Sequence, residues 1–453
     1  MTDEDKAQAR DRQLAGTAIS GGRVRALLLE LWQRTRLDWG FVSDRLSQTF
    51  RRETWLGSHE RRFVAETLHG MVRQLRRVDA AVSRGSRRGA PRDADRLIAY
   101  LLLEGQIGVA DAARAEPAID WAAVAAIDEA IARERDPVVR LALGCSLPDW
   151  LAARLHADWG ARAEPLARAL GERAPMTVRA NRLRTTREAL AAALAGHGLA
   201  TTPGRWARDA LIVDTRTNLF ALPELKAGLF EAQDEGSQLL AELVVPGAGP
   251  PPAGGRDVVV DLCAGAGGKT LALAAAMANR GRIVACDVDR AKLDELRRRA
   301  RRAGVTTVDT VHLPEGVWPD ALEDRRGAIG RVLVDAPCSG MGALRRNPEA
   351  RWRLREADVD ELVGRQRDIA TRAATLLAPG GVMVYATCTV LAAENQGVAL
   401  AVADACGLEV VPPAAALGER AAALATDDGR WFTVTPDRHG TDGFFAALLR
   451  RPA

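Results

Sequence analysis

Cysteine is sparse and lysine nearly missing in this chain of 453 residues. The six cysteines, at 145, 263, 286, 338, 388 and 406, form no Cys-x-x-Cys pair, which argues against a zinc ribbon or a thioredoxin-type site. No apolar run approaches the roughly 18 residues that a membrane helix needs. The acidic start, Met1-Thr2-Asp3-Glu4-Asp5-Lys6, is unlike a secretory leader. These features together imply a cytoplasmic protein with reduced thiols, some of them free for chemistry. Only Lys6, Lys226, Lys269 and Lys292 supply lysine, so the 63 basic residues are almost all arginine; against 59 acids they leave a net charge of +4. Internal repeats and low-complexity tracts are missing too. What is present is ordinary for a globular chain, with 47% hydrophobic and 27% charged residues. The length suits about three domains.

Residues 1–155 read as all helical. Val24, Leu27, Leu28 and Leu31 keep the i, i+3, i+4, i+7 spacing of an amphipathic helix, and Val64, Leu68, Met71, Val72 and Leu75 repeat it. Residues 51–100 hold 12 arginines against 6 acids. Arg73, Arg76, Arg77, Arg84, Arg87, Arg88 and Arg92 crowd one part of it, which reads either as a solvated helix face or as a phosphate-binding one. From 156 to 235 the pattern turns to β-α-β. Thr177–Leu183 reads as a strand, a capping box of Thr185 and Glu188 opens a helix to Leu194, and Leu211–Val213 reads as the next strand. Within 236–453 a proline- and glycine-rich loop, Pro246–Gly255, precedes four continuous apolar runs: Val258–Val260, Ile283–Ala285, Val332–Val334 and Val382–Val384. Such runs fit a parallel sheet buried on both faces. Helical segments at 269–278, 290–303 and 357–378 alternate with them, which predicts a doubly wound α/β sheet.

Between the first of these strands and its helix lies Asp261-Leu262-Cys263-Ala264-Gly265-Ala266-Gly267-Gly268-Lys269-Thr270. Glycines there let backbone amides approach a ligand at a helix N-terminus. The ending Gly-Lys-Thr is like a Walker A loop, and Val332–Asp335 is like a Walker B strand. Yet the glycine that a P-loop needs five residues before Gly268 is Cys263, and the dinucleotide pattern fails at Thr270. Asp287, at the tip of the next strand, suits ribose hydroxyls. A glycine loop with a ribose acid and an incomplete phosphate cradle fits a nucleoside without a polyphosphate, and S-adenosylmethionine is the common cofactor of that kind. Two further motifs end strands of the same sheet: Asp335-Ala336-Pro337-Cys338-Ser339-Gly340 and Ala386-Thr387-Cys388-Thr389. A lone buried cysteine is usually a small hydrophobe. Two of them on strand tips beside a cofactor loop are candidates for chemistry.

Asp-Ala-Pro-Cys-Ser-Gly, Tyr-Ala-Thr-Cys and the loop ending Gly-Gly-Lys-Thr resemble the RNA cytosine-C5 methyltransferases of the Sun (Fmu) family. The likeness is greatest to the bacterial RsmB type, which modifies small-subunit ribosomal RNA. His59-Glu60-Arg61-Arg62-Phe63-Val64 through Gly70 is similar to a NusB-like N-terminal domain. Leu147–Trp150 and Arg179–Leu183 resemble the central RNA-binding segment, and Gln233–Gln238 and Asp442–Phe445 the two ends of the catalytic domain. The resemblance implies an all-α NusB-like RNA-binding domain (1–155), a small α/β RNA-binding linker domain (156–235) and a Rossmann-like doubly wound α/β methyltransferase domain (236–453). It further implies S-adenosylmethionine as cofactor and ribosomal RNA as partner, with no metal, no membrane and a monomer sufficing. Three places depart from the family, the mildest being Thr389 where the family has serine after Thr-Cys. Gly265-Ala266 stands where the family has Ala-Pro, which frees the loop. Val311-His312-Leu313-Pro314-Glu315 lacks the family's Gly-Asp near the adenine, leaving Glu315 or Asp309 as its substitute.

Residue roles also follow from the resemblance. Cofactor binding falls to Cys263, Ala264, Gly265, Ala266, Gly267, Gly268, Lys269, Asp287 and Asp335. Cytosine C5 is too electron-poor to attack a methyl sulfonium, so Cys388 first adds at C6. Asp335 binds or protonates N3. Lys269 orients Asp335 or sits near the cytosine carbonyl, and Cys338 assists loss of the C5 proton and release of the enzyme. The target base must be unpaired or flipped out. Three rival readings stand beside this one. They are the same chemistry on transfer RNA, a P-loop-like ATPase, which Cys263 disfavours, and a NusB-like RNA-binding protein with a dead catalytic domain, which the two cysteines and Asp335 disfavour.

Overall fold

The computed structural model describes residues 3–86, 89–245, 258–314 and 317–453, and these form two compact units. Arg87, Arg88, the Pro246–Gly255 loop and Glu315 lie outside the described residues. No helix among the described residues is long and apolar enough to cross a membrane.

The first unit is helical and comprises residues up to Glu172 together with Leu344–Glu356. Helices α1 (Gly22–Asp38), α2 (Ser58–Gly85) and α3 (Asp93–Leu103) bury the stripes that the sequence spacing marks, among them Leu27, Leu28, Leu31, Val64, Leu68 and Met71. Helix continues past residue 155, through α4 (Asp149–Trp159) and on to Gly171. Arginines that read as one possible phosphate face are in large part tied down. Arg76 donates to the Leu147 carbonyl at 2.9 Å and pairs with Asp149. Arg77 holds both oxygens of Asp128, and Arg92 pairs with Asp95 and Glu116. The side chains of Arg76 and Arg77 are only 24% and 15% exposed. These arginines join helix to helix.

Residues 344–356 lie in the stretch read from sequence as catalytic, yet they pack in the helical unit. The Trp352 indole donates to the Val72 carbonyl at 2.8 Å and packs 6.1 Å from Trp39. Arg351 is 1% exposed, and its guanidinium donates to the carbonyls of Pro348, Cys145, Ser146 and Arg73 at 3.2–3.4 Å. Burial pulls its pKa down to about 10, and it remains charged at neutral pH.

The second unit holds two sheets. Strands β1 (Met176–Ala180), β2 (Thr201–Pro203), β3 (Ala210–Val213) and β4 (Phe230–Ala232) form an antiparallel sheet in the order β2-β3-β1-β4. Its helix α5 (Arg187–Ala195) is capped by Thr186, whose hydroxyl accepts the Ala189 N–H at 3.1 Å, and not by Thr185 as the sequence suggests. The Thr185 N–H is already spent on the Asn181 carbonyl, so the chain first becomes extended one residue later.

The larger sheet contains β5 (Val258–Leu262), β6 (Arg282–Asp287), β7 (Val308–His312), β8 (Ile329–Asp335), β9 (Leu377–Thr387), β10 (Glu409–Val411), β11 (Phe432–Val434) and β12 (Phe444–Arg450). The order is β10-β12-β9-β8-β5-β6-β7 with β11 beside β12, and β5 to β9 run parallel. Alternate residues feed two cores. Val259, Ile283, Leu333 and Val384 enter one, and Val260, Val284, Val332 and Met383 the other. The apolar runs are continuous because both faces are covered, by α6 (Glu235–Val244), α7 (Gly268–Ala276), α8 (Arg290–Ala303), α9 (Glu356–Ala374) and α10 (Gln396–Cys406).

Arg351→Ala should leave its carbonyl acceptors buried without a donor, lowering stability of the helical unit by about 2–4 kcal/mol. Urea unfolding followed by circular dichroism reads this directly. Arg133→Ala, with a side chain 78% exposed, should stay within about 0.5 kcal/mol of the parent.

Candidate active site

Strand order reverses around β5, because the chain passes from β5 to β6 on one side and β8 lies on the other. A crevice at the carboxyl ends is the geometric consequence. A cavity of about 1030 Å³ lies there, lined by Cys263 and Gly265 after β5, Asp287 ending β6, His312 ending β7, Asp335 ending β8, and Arg365 and Asp368 of α9. Val288, Leu313 and Trp318 add apolar wall.

Asp287 is buried; one oxygen accepts the Gly265 N–H at 2.7 Å and the other the Asp289 N–H at 2.9 Å. A carboxylate has about four lone-pair sites, so it retains capacity for two hydroxyls. Asp309 does not line the cavity. It pairs with Arg282 across β6 and β7.

Of the loop residues, Cys263 and Gly265 reach the cavity, whereas Ala264, Ala266, Gly267 and Gly268 shape the turn. Cys263 and Gly265 have left-handed backbones, with φ of 64° and 56°. Gly267, at φ 87°, caps α7, and a Cβ there would lie 2.6 Å from Leu296 Cγ. Arg299, paired with Glu231, donates to the Ala266 carbonyl at 2.7 Å and fixes the loop from outside. Burial pushes the Cys263 thiol well up, which leaves it neutral.

Lys269 reaches from α7 to Asp335, Nζ to Oδ2 at 2.7 Å, and lies 5.7 Å from the Phe444 ring. Burial acts against its charge, but the Asp335 carboxylate more than offsets this and the lysine pKa ends raised. Cys338 and Cys388 are absent from the cavity lining, yet the structure brings them together with sulfurs 3.4 Å apart. The bond to the Cys388 sulfur, together with burial, pushes the Cys338 thiol far above the usual cysteine range. Backbone bonds join the two loops: Ala336 N–H to the Ala386 carbonyl and Gly342 N–H to the Cys388 carbonyl, both at 2.9 Å. A Cβ on Gly342 would lie 2.1 Å from the Gly443 carbonyl oxygen, so only glycine permits this approach.

Comparison with known proteins agrees with this geometry. A family model for the 16S rRNA methyltransferase RsmB/F matches residues 252–450, and one for the RsmF/B-like ferredoxin-like domain matches residues 147–219. The chain belongs to the RsmB/F methyltransferase family. It is 35% identical over 251 residues to ribosomal RNA small subunit methyltransferase B of Sodalis glossinidius, covering 55% of each chain. To the Vibrio cholerae protein of the same name it is 31% identical over 307 residues, covering 67% of this chain and 65% of that one. The match thus spans between about half and two thirds of these RsmB relatives. Among solved structures, PH0851 superposes with a TM-score of 0.73 over 96% of this chain and 98% of that one, at 22% identity, which speaks to the fold alone. A methyltransferase homolog from Pyrococcus horikoshii gives 0.57 at 26% identity, over 70% of this chain and 100% of that one.

Two residues of this RsmB/F-type site escape sequence reasoning. Asp261, next to last in β5, is fully buried; Oδ2 accepts the Thr270 hydroxyl at 2.6 Å and Oδ1 has no partner among the described residues. Its signal was an acid inside an apolar strand. Glu394, also fully buried, follows Cys388 by six residues, and no spacing rule marks it. Among the described residues no group of three or more His, Cys, Asp or Glu could hold a metal.

Burial raises the Asp261 pKa to about 7. Folding therefore favours the protonated acid: its contribution is full below about pH 4 and is lost as pH rises through about 7. Asp261→Asn should remove that slope, so that its urea midpoint exceeds the parent's at pH 8 but not at pH 4.5.

Proposed function

We propose that this protein methylates cytosine C5 in RNA, with S-adenosylmethionine as donor and 16S ribosomal RNA as substrate. The observation that carries this reading is the pair of thiols 3.4 Å apart beside the Lys269–Asp335 ion pair. The names of the RsmB relatives support ribosomal RNA as the substrate. The cavity residues fit the cofactor: Asp287 has acceptor capacity for ribose hydroxyls, and Trp318, Leu313 and Val288 offer apolar surface to a base. In this proposal residues 1–155 and 156–235 hold the RNA and 236–453 perform the chemistry. The protein acts as a cytoplasmic monomer, without a metal.

S-adenosylmethionine, when bound, supplies an electrophilic methyl group on a sulfonium. Cys388, as thiolate, adds to C6 of an unstacked cytosine; its electron pair forms the C6–S bond and C5 becomes nucleophilic. Asp335, carrying a proton, donates it to N3 as the C6–S bond forms and takes it back when that bond breaks; Lys269 orients the carboxyl group and holds the carboxylate left between the two steps. Once C5 carries the methyl group, its proton must leave as the C6–S bond breaks. Cys338, a neutral thiol, passes its own proton to the departing Cys388 sulfur and takes the proton from C5.

Asp287→Ala should weaken S-adenosylmethionine binding by about 1–3 kcal/mol, because the ribose hydroxyls and the Gly265 N–H lose their acceptor. Titration calorimetry on the folded variant measures it, and unchanged affinity would remove the ribose role.

The cysteines should fail in opposite ways. Cys388→Ala should give neither methylated RNA nor a covalent complex. Cys338→Ala should accumulate a protein–RNA adduct that survives denaturing gels and disappears when Cys388 is also replaced. A trapped adduct in Cys388→Ala would reverse the two assignments.

A further inference from the structure

Glu394 is a carboxylate wholly withdrawn from water, and its partners are neutral donors. Oε1 accepts the Ser339 N–H at 2.8 Å and the Gln366 side-chain amide at 2.9 Å, while Oε2 accepts the Ser339 hydroxyl. The same Gln366 amide donates to the Pro337 carbonyl at 2.9 Å. The Tyr385 hydroxyl of β9 donates to the Glu394 backbone carbonyl at 2.6 Å, which fixes the glutamate from its own side. Burying a carboxylate is costly unless its lone pairs are filled. Here the donors come chiefly from the loop that carries Cys338, whereas Glu394 belongs to the segment that follows Cys388.

The direction of the hydrogen bonds adds to this. Ser339 commits its hydroxyl proton to Glu394, so the 2.9 Å contact between the Ser339 and Thr389 hydroxyls must be donated by Thr389. The Thr389 oxygen in turn accepts the Leu391 N–H at 3.3 Å. A directed chain therefore runs from Thr389, the neighbour of Cys388, through Ser339, the neighbour of Cys338, to the carboxylate. An amide at position 394 would set N–H donors against the Ser339 hydroxyl and reverse that chain.

We infer that Glu394 is a positioning residue, which holds the Cys338 loop against the Cys388 loop and so sets the separation of the two sulfurs. Its effect on turnover rests on the methyltransferase reading; its effect on the sulfurs does not. A displacement of about 1 Å between reacting groups can lower a rate by about 10²-fold.

The test uses the full chain and two readouts. In the first, copper-phenanthroline oxidises the protein, and peptide mass mapping follows formation of the Cys338–Cys388 disulfide. The parent should form it quickly, Glu394→Ala at least about tenfold more slowly, and Glu394→Gln at an intermediate rate, as loss of preorganisation requires. In the second, methylation of ribosomal RNA should show kcat lowered by about 10²-fold in Glu394→Ala, with S-adenosylmethionine affinity and KM for RNA near the parent's. If Glu394→Ala does not fold, Glu394→Gln and Ser339→Ala carry the comparison, and each should slow both processes. A folded variant with the parent's disulfide rate and kcat would overturn the inference. Slowed disulfide formation in the variants of a protein that methylates no RNA would remove the proposed reaction and leave the positioning role standing.

Discussion

Parallel pairing of β8 with β9 is the constraint on which the site depends. Its register sets Asp335 opposite Ala386, three residues before Cys338 and two before Cys388. The two loops thus leave neighbouring strands at the same end, within reach of each other's backbone. A one-residue slip would send successive side chains to the opposite face. It would part the sulfurs and, with β9 the strand that moves, turn Met383 and Tyr385 out of the core they share with Val332 and Val334. Burial of those side chains therefore holds the chemistry in register.

The site concentrates buried and half-buried polar groups that isolated strands could not support. Asp261, Lys269, Asp335, Ser339 and Glu394 are tied through Thr270, Gln366 and Thr389 into bonds that cross between segments. In a low-dielectric interior each unfilled lone pair is expensive, and each filled one restricts geometry strongly. The Cys338 thiol shows the result. Enclosed beside a second sulfur, it keeps its proton, while the lysine nearby keeps its charge because a carboxylate faces it.

Arginine does structural work in both units. In the helical unit it bridges helices through Asp128, Asp149 and Glu116, and through Arg351 it satisfies several carbonyls at once. In the other unit Arg299 and Arg302 share Glu231 and brace the glycine loop. A planar guanidinium with five donors suits such multiple bonds better than an ammonium. Scarcity of lysine makes Lys269 stand out: it meets Asp335 through a single 2.7 Å contact, as a compact ammonium does.

Much of the fold was legible locally. Helical spacing in α1 and α2 and the continuous apolar runs of β5, β6, β8 and β9 follow from side-chain periodicity, which is a property of neighbours in sequence. The glycine loop, Asp287, Asp335 and the two cysteines were visible for the same reason, as compact motifs at strand ends. Thr186 rather than Thr185 caps α5 because of the turn closed on the Asn181 carbonyl, which the residue pattern does not reveal. No local pattern singles out Glu394 or Asp261: both depend on complete exclusion from water, and Glu394 also on partners 28 and 55 residues away. Residues 344–356 were read with the catalytic part because they follow Cys338 closely. Arg351 and Trp352 instead find their acceptors at Val72, Arg73, Cys145 and Ser146, more than 200 positions earlier. Short-range sequence determined which elements form and which residues can do chemistry; tertiary packing decided which carboxylates lose their water, which arginines are spent on acids and carbonyls, and that two sulfurs fifty residues apart would meet.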